Sequence, residues 1–144
     1  MVAHACYQSA VELAEKVVSE HVEQMTFFQL VRPFYDYVPE LRNLLFAIPN
    51  GGYRDRITAA KMRAEGQKSG IPDIFCAIPK DGVHGLFIEM KKRKGGQISP
   101  EQEKVMQMLK DKGYKVEVAY GASQAINILM NYLRIDEAKP GAPA

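Results

Sequence analysis

Between Ser9 and Val31 the apolar residues Val11, Ala14, Val18, Val22, Met25 and Phe28 recur at steps of three and four, which predicts an amphipathic helix over about 9–31. Residues 32–43 hold Pro33, Pro39 and three aromatics and read as an irregular connection. Leu44 to Ile48 is a short apolar run stopped by Pro49-Asn50-Gly51-Gly52, the pattern of a buried strand ending in a turn. Residues 53–70 are polar and basic, with room for a short helix over Ile57 to Glu65 that ends near Gly66. Asp73–Ile78 and Gly85–Lys91 are strand-like runs joined by a segment containing Asp81-Gly82, a hairpin cue.

Downstream, Ser99-Pro100-Glu101-Gln102 opens a helix. Ser99 suits the N-cap, Pro100 the first helical position, and Gln102 completes a capping-box pattern. This helix is expected to turn Val105, Met108 and Leu109 inward and to stop at Gly113. Tyr114 to Tyr120 alternates as a half-buried strand, and Ala122 to about Leu133 forms a last amphipathic helix. The order α-β-β-β-α-β-α describes one α/β domain over residues 1–137, built on a mixed four-stranded sheet flanked by helices. A frayed tail is expected over 138–144.

The composition, 47% hydrophobic and 25% charged in 144 residues, is that of an ordinary globular chain. No apolar run approaches the roughly 20 residues needed to cross a bilayer, so no membrane partner is expected. The N-terminus has no signal-peptide pattern either. Cys6 and Cys76 are too few for a disulfide framework or a four-cysteine zinc site, which favours a reducing, cytoplasmic setting. A net charge of +2 says little alone.

The chemistry concentrates on the central hairpin. With the turn at Asp81, Asp73 falls opposite Glu89, give or take one residue of register. Two opposed carboxylates repel each other unless a cation lies between them. Lys91 shares the face of Glu89 by strand alternation, while the side chain of Met90 points to the core and leaves its carbonyl oxygen as a further donor. Oxygen donors of this kind suit Mg²⁺ or Mn²⁺, which bind through one or two carboxylates plus substrate phosphate. Such an ion activates water and neutralises charge on a phosphodiester. The plainer account makes Glu89 and Lys91 a solvated strand end. Against it, the runs Ile74–Ile78 and Leu86–Ile88 mark both strands as core strands.

Four blocks then carry a family resemblance: Ile48-Pro49-Asn50-Gly51-Gly52, Lys68-Ser69-Gly70-Ile71-Pro72-Asp73, Gly85-Leu86-Phe87-Ile88-Glu89-Met90-Lys91 and Ser99-Pro100-Glu101-Gln102. In this order they resemble the VRR-NUC branch of the PD-(D/E)xK nucleases, in its stand-alone phage-type form, over about residues 20–133. The resemblance implies a restriction-endonuclease-like fold. It also implies metal-dependent cleavage of DNA, on branched substrates such as four-way Holliday junctions, by a homodimer in a bacterial or phage-infected cell. Asp73 and Glu89 match the metal ligands, with the Met90 carbonyl as a third, and Lys91 matches the catalytic lysine. Glu20 on the first helix resembles the family's additional acid, with Glu23 as the competing candidate, and Gln102 matches the glutamine after the core strands. On the plainer account Glu20 is a solvated helix residue and Gln102 only a cap.

Basic residues supply a phosphate-binding surface: Arg54, Arg56, Lys61, Arg63 and Lys68 in one stretch, Lys92, Arg93 and Lys94 in another. Asn50 lies in the glycine-rich turn beside them. A charge run is also what any solvated face looks like. Two other classes of function remain open in the sequence. One is a non-catalytic nucleic-acid-binding module of the same fold, and the other is a subunit-interaction protein in a replication complex.

Overall fold

A computed structural model describes residues 18–50 and 55–135. The first helix, α1, spans Glu20–Val31 and is capped by Ser19, whose side chain accepts the Val22 N–H. The helix therefore starts at Glu20, after Val18 and Ser19; the part of the expected helix over 9–17 lies outside the described residues. Its inward face also differs from the expected stripe. Glu23, Phe27 and Val31 are buried, whereas Val22 and Met25 are 44% and 52% exposed.

The expected irregular connection folds as a 3-10 helix, Arg32–Asp36, and a single helical turn, α2, Leu41–Leu44. Strand β1 (Leu45–Ala47) is an edge strand with only Leu45 buried, not the buried strand that its apolar run suggests. Helix α3 (Arg56–Ala64) is capped by Asp55 and buries none of its residues. Strands β2 (Ile74–Cys76) and β3 (Leu86–Lys91) form the expected hairpin. Its turn places Asp81 and Gly82 at φ 49° and 82°, the left-handed pair that a two-residue hairpin turn requires.

Helix α4 (Pro100–Asp111) carries the full capping box between Ser99 and Gln102. Packing on Phe87 and Val116 turns Met106 to the core, while Met108, expected inside, is 56% exposed. Strand β4 (Lys115–Tyr120) and helix α5 (Ala122–Leu133) complete the domain.

The sheet order is β1-β2-β3-β4, with β1, β2 and β3 antiparallel and β4 parallel to β3, giving the expected mixed four-stranded sheet flanked by helices. One face packs Ile74, Cys76, Leu86, Ile88 and Met90 against α1 and α5 through Phe27, Val31, Ala125 and Leu129. The opposite face packs Phe87 and Val116 with Met106 of α4, bordered by Phe75 and Tyr114. Strand β3 lies between both layers, and all six of its residues are buried. Strand alternation therefore turns Glu89 and Lys91 to the α4 face, next in line after Phe87. Two charges in such a strand must be paired to be tolerated.

Candidate active site

The hairpin register pairs Ile74 with Ile88, so one step further Asp73 stands opposite Glu89, as the turn position predicts. Asp73 leads into β2 from the Gly70-Ile71-Pro72 segment and is fixed at both ends. Its carbonyl accepts the Ile48 N–H at 2.7 Å, and its Oδ2 accepts the Met90 N–H at 2.7 Å. The Met90 side chain is 1% exposed in the core, on the face away from the acids.

Glu89 and Lys91 are 2% and 5% exposed. The Lys91 Nζ lies 3.2 Å from Glu89 Oε1 and donates to Gln102 Oε1 at 3.2 Å. Gln102 Nε2 donates to Glu89 Oε1 at 2.7 Å, while its Oε1 also accepts the Ser99 N–H. Gln102 is thus both a helix cap and a bridge between the two charged residues of β3. The cap holds its side chain in place, and the site uses the same amide.

The electrostatics follow from burial. Burial raises Asp73 above the ordinary aspartate range; the Met90 N–H and the Lys91 charge pull it down, and Glu20 pushes it up. Glu89 is pushed up to about 7 by burial first and by the Asp73 charge second, with Lys91 opposing both. Near neutrality the pair therefore retains proton-binding character, as two adjacent acids do when no cation separates them.

Glu20 is exposed at the start of α1, and its charge reaches both acids. It does not join them as a third ligand, since among the described residues no three His, Cys, Asp or Glu side chains gather round one point. Glu23, the competing acid, is used elsewhere: it caps α5 through the Ala122 N–H at 2.7 Å and pairs with Arg93 at 2.8 Å. Of the two, Glu20 is the one on the side of the acid pair.

Two carboxylates fit a hard divalent cation that completes its shell with water, main-chain oxygen and phosphate. The site's own chemistry points the same way, because a cation can replace the proton that the raised carboxyl groups retain. Asp73 and Glu89 would hold Mg²⁺ or Mn²⁺.

The basic residues are placed more loosely. Arg56, Lys61 and Arg63 are exposed on α3, Lys68 on the loop after it, and Lys92 and Lys94 beyond β3. Arg93 is drawn into the ion pair with Glu23 but keeps 47% of its side chain exposed. Arg54 lies outside the described residues. Asn50 donates to the Ile71 carbonyl and Gln67 to the Pro49 carbonyl at 2.9 Å, so the two loops beside Asp73 are laced together. Ser69 adds a bond to Glu101 of α4 at 2.8 Å. Sequence reasoning did not assign Gln67 and Ser69 this role. Gly70, at φ 81° and packed against Glu101 and Val105, is the sequence position that could have signalled the contact.

The sequence matches the VRR-NUC domain over residues 9–123, reaching further upstream than the motif blocks and ending before residue 133. A solved structure described as a VRR_NUC domain protein superposes with a TM-score of 0.66 at 26% identity, over 82% of this chain and 90% of the other. No curated protein matches the sequence.

Proposed function

The chain belongs to the VRR-NUC domain family, a family of nuclease domains, and from that premise we propose that it is a Mg²⁺- or Mn²⁺-dependent endonuclease acting on DNA. The observation that carries the reading is the acid pair: Asp73 and Glu89 meet across the β2–β3 hairpin, with the Lys91 ammonium 3.2 Å from Glu89 on the same face. Asp73 and Glu89, with the Met90 carbonyl as a further oxygen, would hold the cation. When bound, the cation neutralises charge on the scissile phosphate and makes a water molecule easier to deprotonate.

The chain's own residues do the rest. Lys91 carries a positive charge within reach of the acid pair, so it orients the attacking water and offsets the negative charge that accumulates at phosphorus. Gln102 keeps the ammonium and the Glu89 carboxylate in register from a helix whose end it caps. Glu20 adds negative charge at the edge of the pair and tightens its hold on a cation. Arg56, Lys61, Lys68, Lys92 and Lys94 neutralise backbone phosphates on either side, a binding mode that is sensitive to salt and indifferent to sequence, while Arg93 is taken up by its ion pair with Glu23.

Branched DNA such as a four-way junction is the substrate the family resemblance favours, and a homodimer would present two such sites to it, in bacterial or phage DNA metabolism. Among the described residues no helix is long and apolar enough to cross a membrane. The test is a panel of labelled linear, flapped, nicked and four-way DNAs incubated with and without Mn²⁺, with Asp73→Ala as control. Metal-dependent product from the unaltered protein alone supports the proposal. DNA binding that survives EDTA, with no product in Mn²⁺, would make the protein a binding module instead. Absence of any salt-dependent DNA affinity would point to a subunit-interaction protein.

A further inference from the structure

We infer that Glu23 is a positioning residue for Lys91, acting through Arg93; the inference rests on the nuclease reading of the Asp73–Glu89 site. It starts from an oddity of α5. That helix begins after Gly121, which has no side chain to cap it. The missing cap is supplied by Glu23, far away in sequence on α1, whose Oε2 accepts the Ala122 N–H at 2.7 Å. The carboxylate is 1% exposed, and a buried charge of this kind needs compensation on both oxygens.

Its second oxygen, Oε1, has no aligned hydrogen-bond donor. The Arg93 Nε lies 2.8 Å away, off the line of a directed hydrogen bond, so the contact is an ion pair whose strength rests on where the guanidinium is held. Arg93 follows Lys91 by two residues. The end of β3 is therefore tied to the start of α5 twice. One tie is main-chain, from the Gly121 N–H to the Lys91 carbonyl at 2.9 Å, and the other is side-chain, from Arg93 through Glu23 to Ala122.

Packing leaves little slack in this arrangement. Gly121 sits at φ 96°, and a Cβ there would come within 2.8 Å of the Arg93 Cγ, so the arginine stem lies directly across the glycine. The chain then turns back, and a Cβ on Gly96 would come within 2.8 Å of the Lys91 Cβ. Lys91 is thus held between its own strand and a turn that Arg93 anchors. The direction of its ammonium, 3.2 Å from both Glu89 and Gln102, depends on that anchor. Glu23 touches neither acid of the site; it sets where Lys91 points.

The experiment compares full-length protein with Glu23→Gln and Arg93→Lys, measuring the single-turnover cleavage rate constant on the best branched DNA in Mn²⁺. DNA affinity in EDTA and thermal midpoint are measured in parallel. Glutamine keeps an oxygen for Ala122 but loses the charge that holds Arg93; lysine keeps the charge but not the guanidinium geometry. The rate constant should fall about tenfold in Glu23→Gln and by less in Arg93→Lys, with DNA affinity within about twofold of the parent, as expected for a displaced catalytic group. A purely structural role would lower the reacting fraction and the midpoint while leaving the rate constant alone, and that result overturns the inference. Weakened DNA affinity with an intact rate constant also overturns it, making Arg93 a phosphate contact. If Glu23→Gln does not fold, the half-exposed Arg93→Lys decides by the same readouts. If the parent protein cuts none of the DNAs, the nuclease reading itself falls.

Discussion

Glu23 and Glu89 are both almost wholly buried, yet they sit in opposite circumstances. Glu23 is surrounded by positive potential: a helix N-terminus on one oxygen and Arg93 beside the other. Glu89 has one cation, Lys91, but also a second acid, Asp73, across the hairpin and a third, Glu20, within electrostatic reach. The first carboxylate belongs to the architecture as it stands. The second is held in an arrangement that is unfavourable unless a proton or a metal ion relieves it. Burial alone does not mark a working acid; the sign of what surrounds it does.

Substitution separates the two most sharply. Asp73→Ala or Glu89→Ala should reduce Mg²⁺- or Mn²⁺-dependent cleavage by about a thousandfold or more, since a bound metal contributes several kcal/mol to phosphodiester hydrolysis. Circular dichroism should show the fold retained. Glu23→Ala should do the reverse: a loss of about 2 kcal/mol in chemical denaturation, the upper end of what a lost helix cap costs, with a smaller loss of activity per folded molecule. Comparable activity losses in Glu23→Ala and Glu89→Ala would erase the distinction.

Lys91→Ala should come next in size, lowering turnover about a hundredfold while the concentration of Mn²⁺ needed for half-maximal activity stays put. Equal losses in turnover and metal response would remove its separate role.

The pH dependence of stability gives a third handle. The folded protein holds protons on Glu89 and Asp73 more tightly than the unfolded chain does. Without metal, the Glu89 part of this contribution to stability is fully present below about pH 4.5 and is lost as the pH rises through about 7. The full Glu89 shift is of order 3 kcal/mol. Divalent cation should restore the loss, so Mn²⁺ should raise the unfolding midpoint more at pH 8 than at pH 5. A smaller effect is expected of Gln102→Ala, about 1 kcal/mol of stability from the cap together with a modest fall in turnover, read by denaturation and by kinetics.

The parts of this picture legible in the sequence are those fixed by short-range chemistry. Asp81-Gly82 dictates a two-residue turn, and that turn sets the register placing Asp73 against Glu89. Ser99 and Gln102 dictate a capping box, and with it the position of the Gln102 amide. What escaped reading depends on distant partners. The inward face of α1 includes Glu23 because Ala122 and Arg93 are there to receive it, which no helical periodicity can show. Ser19 interrupts the apolar pattern that suggested a helix from residue 9. Met106 replaces Met108 in the core because Phe87 and Val116 of the sheet are there to receive it. The apolar run at β1 suggested burial, but its place at the sheet edge leaves Phe46 42% exposed.

The most direct test of the proposal that the acid pair holds a metal ion is an anomalous-scattering map from crystals grown with Mn²⁺. A peak within about 2–2.5 Å of both the Asp73 and Glu89 carboxylates is the predicted result. A map with no peak between them, or with Mn²⁺ bound only at other residues, would contradict it.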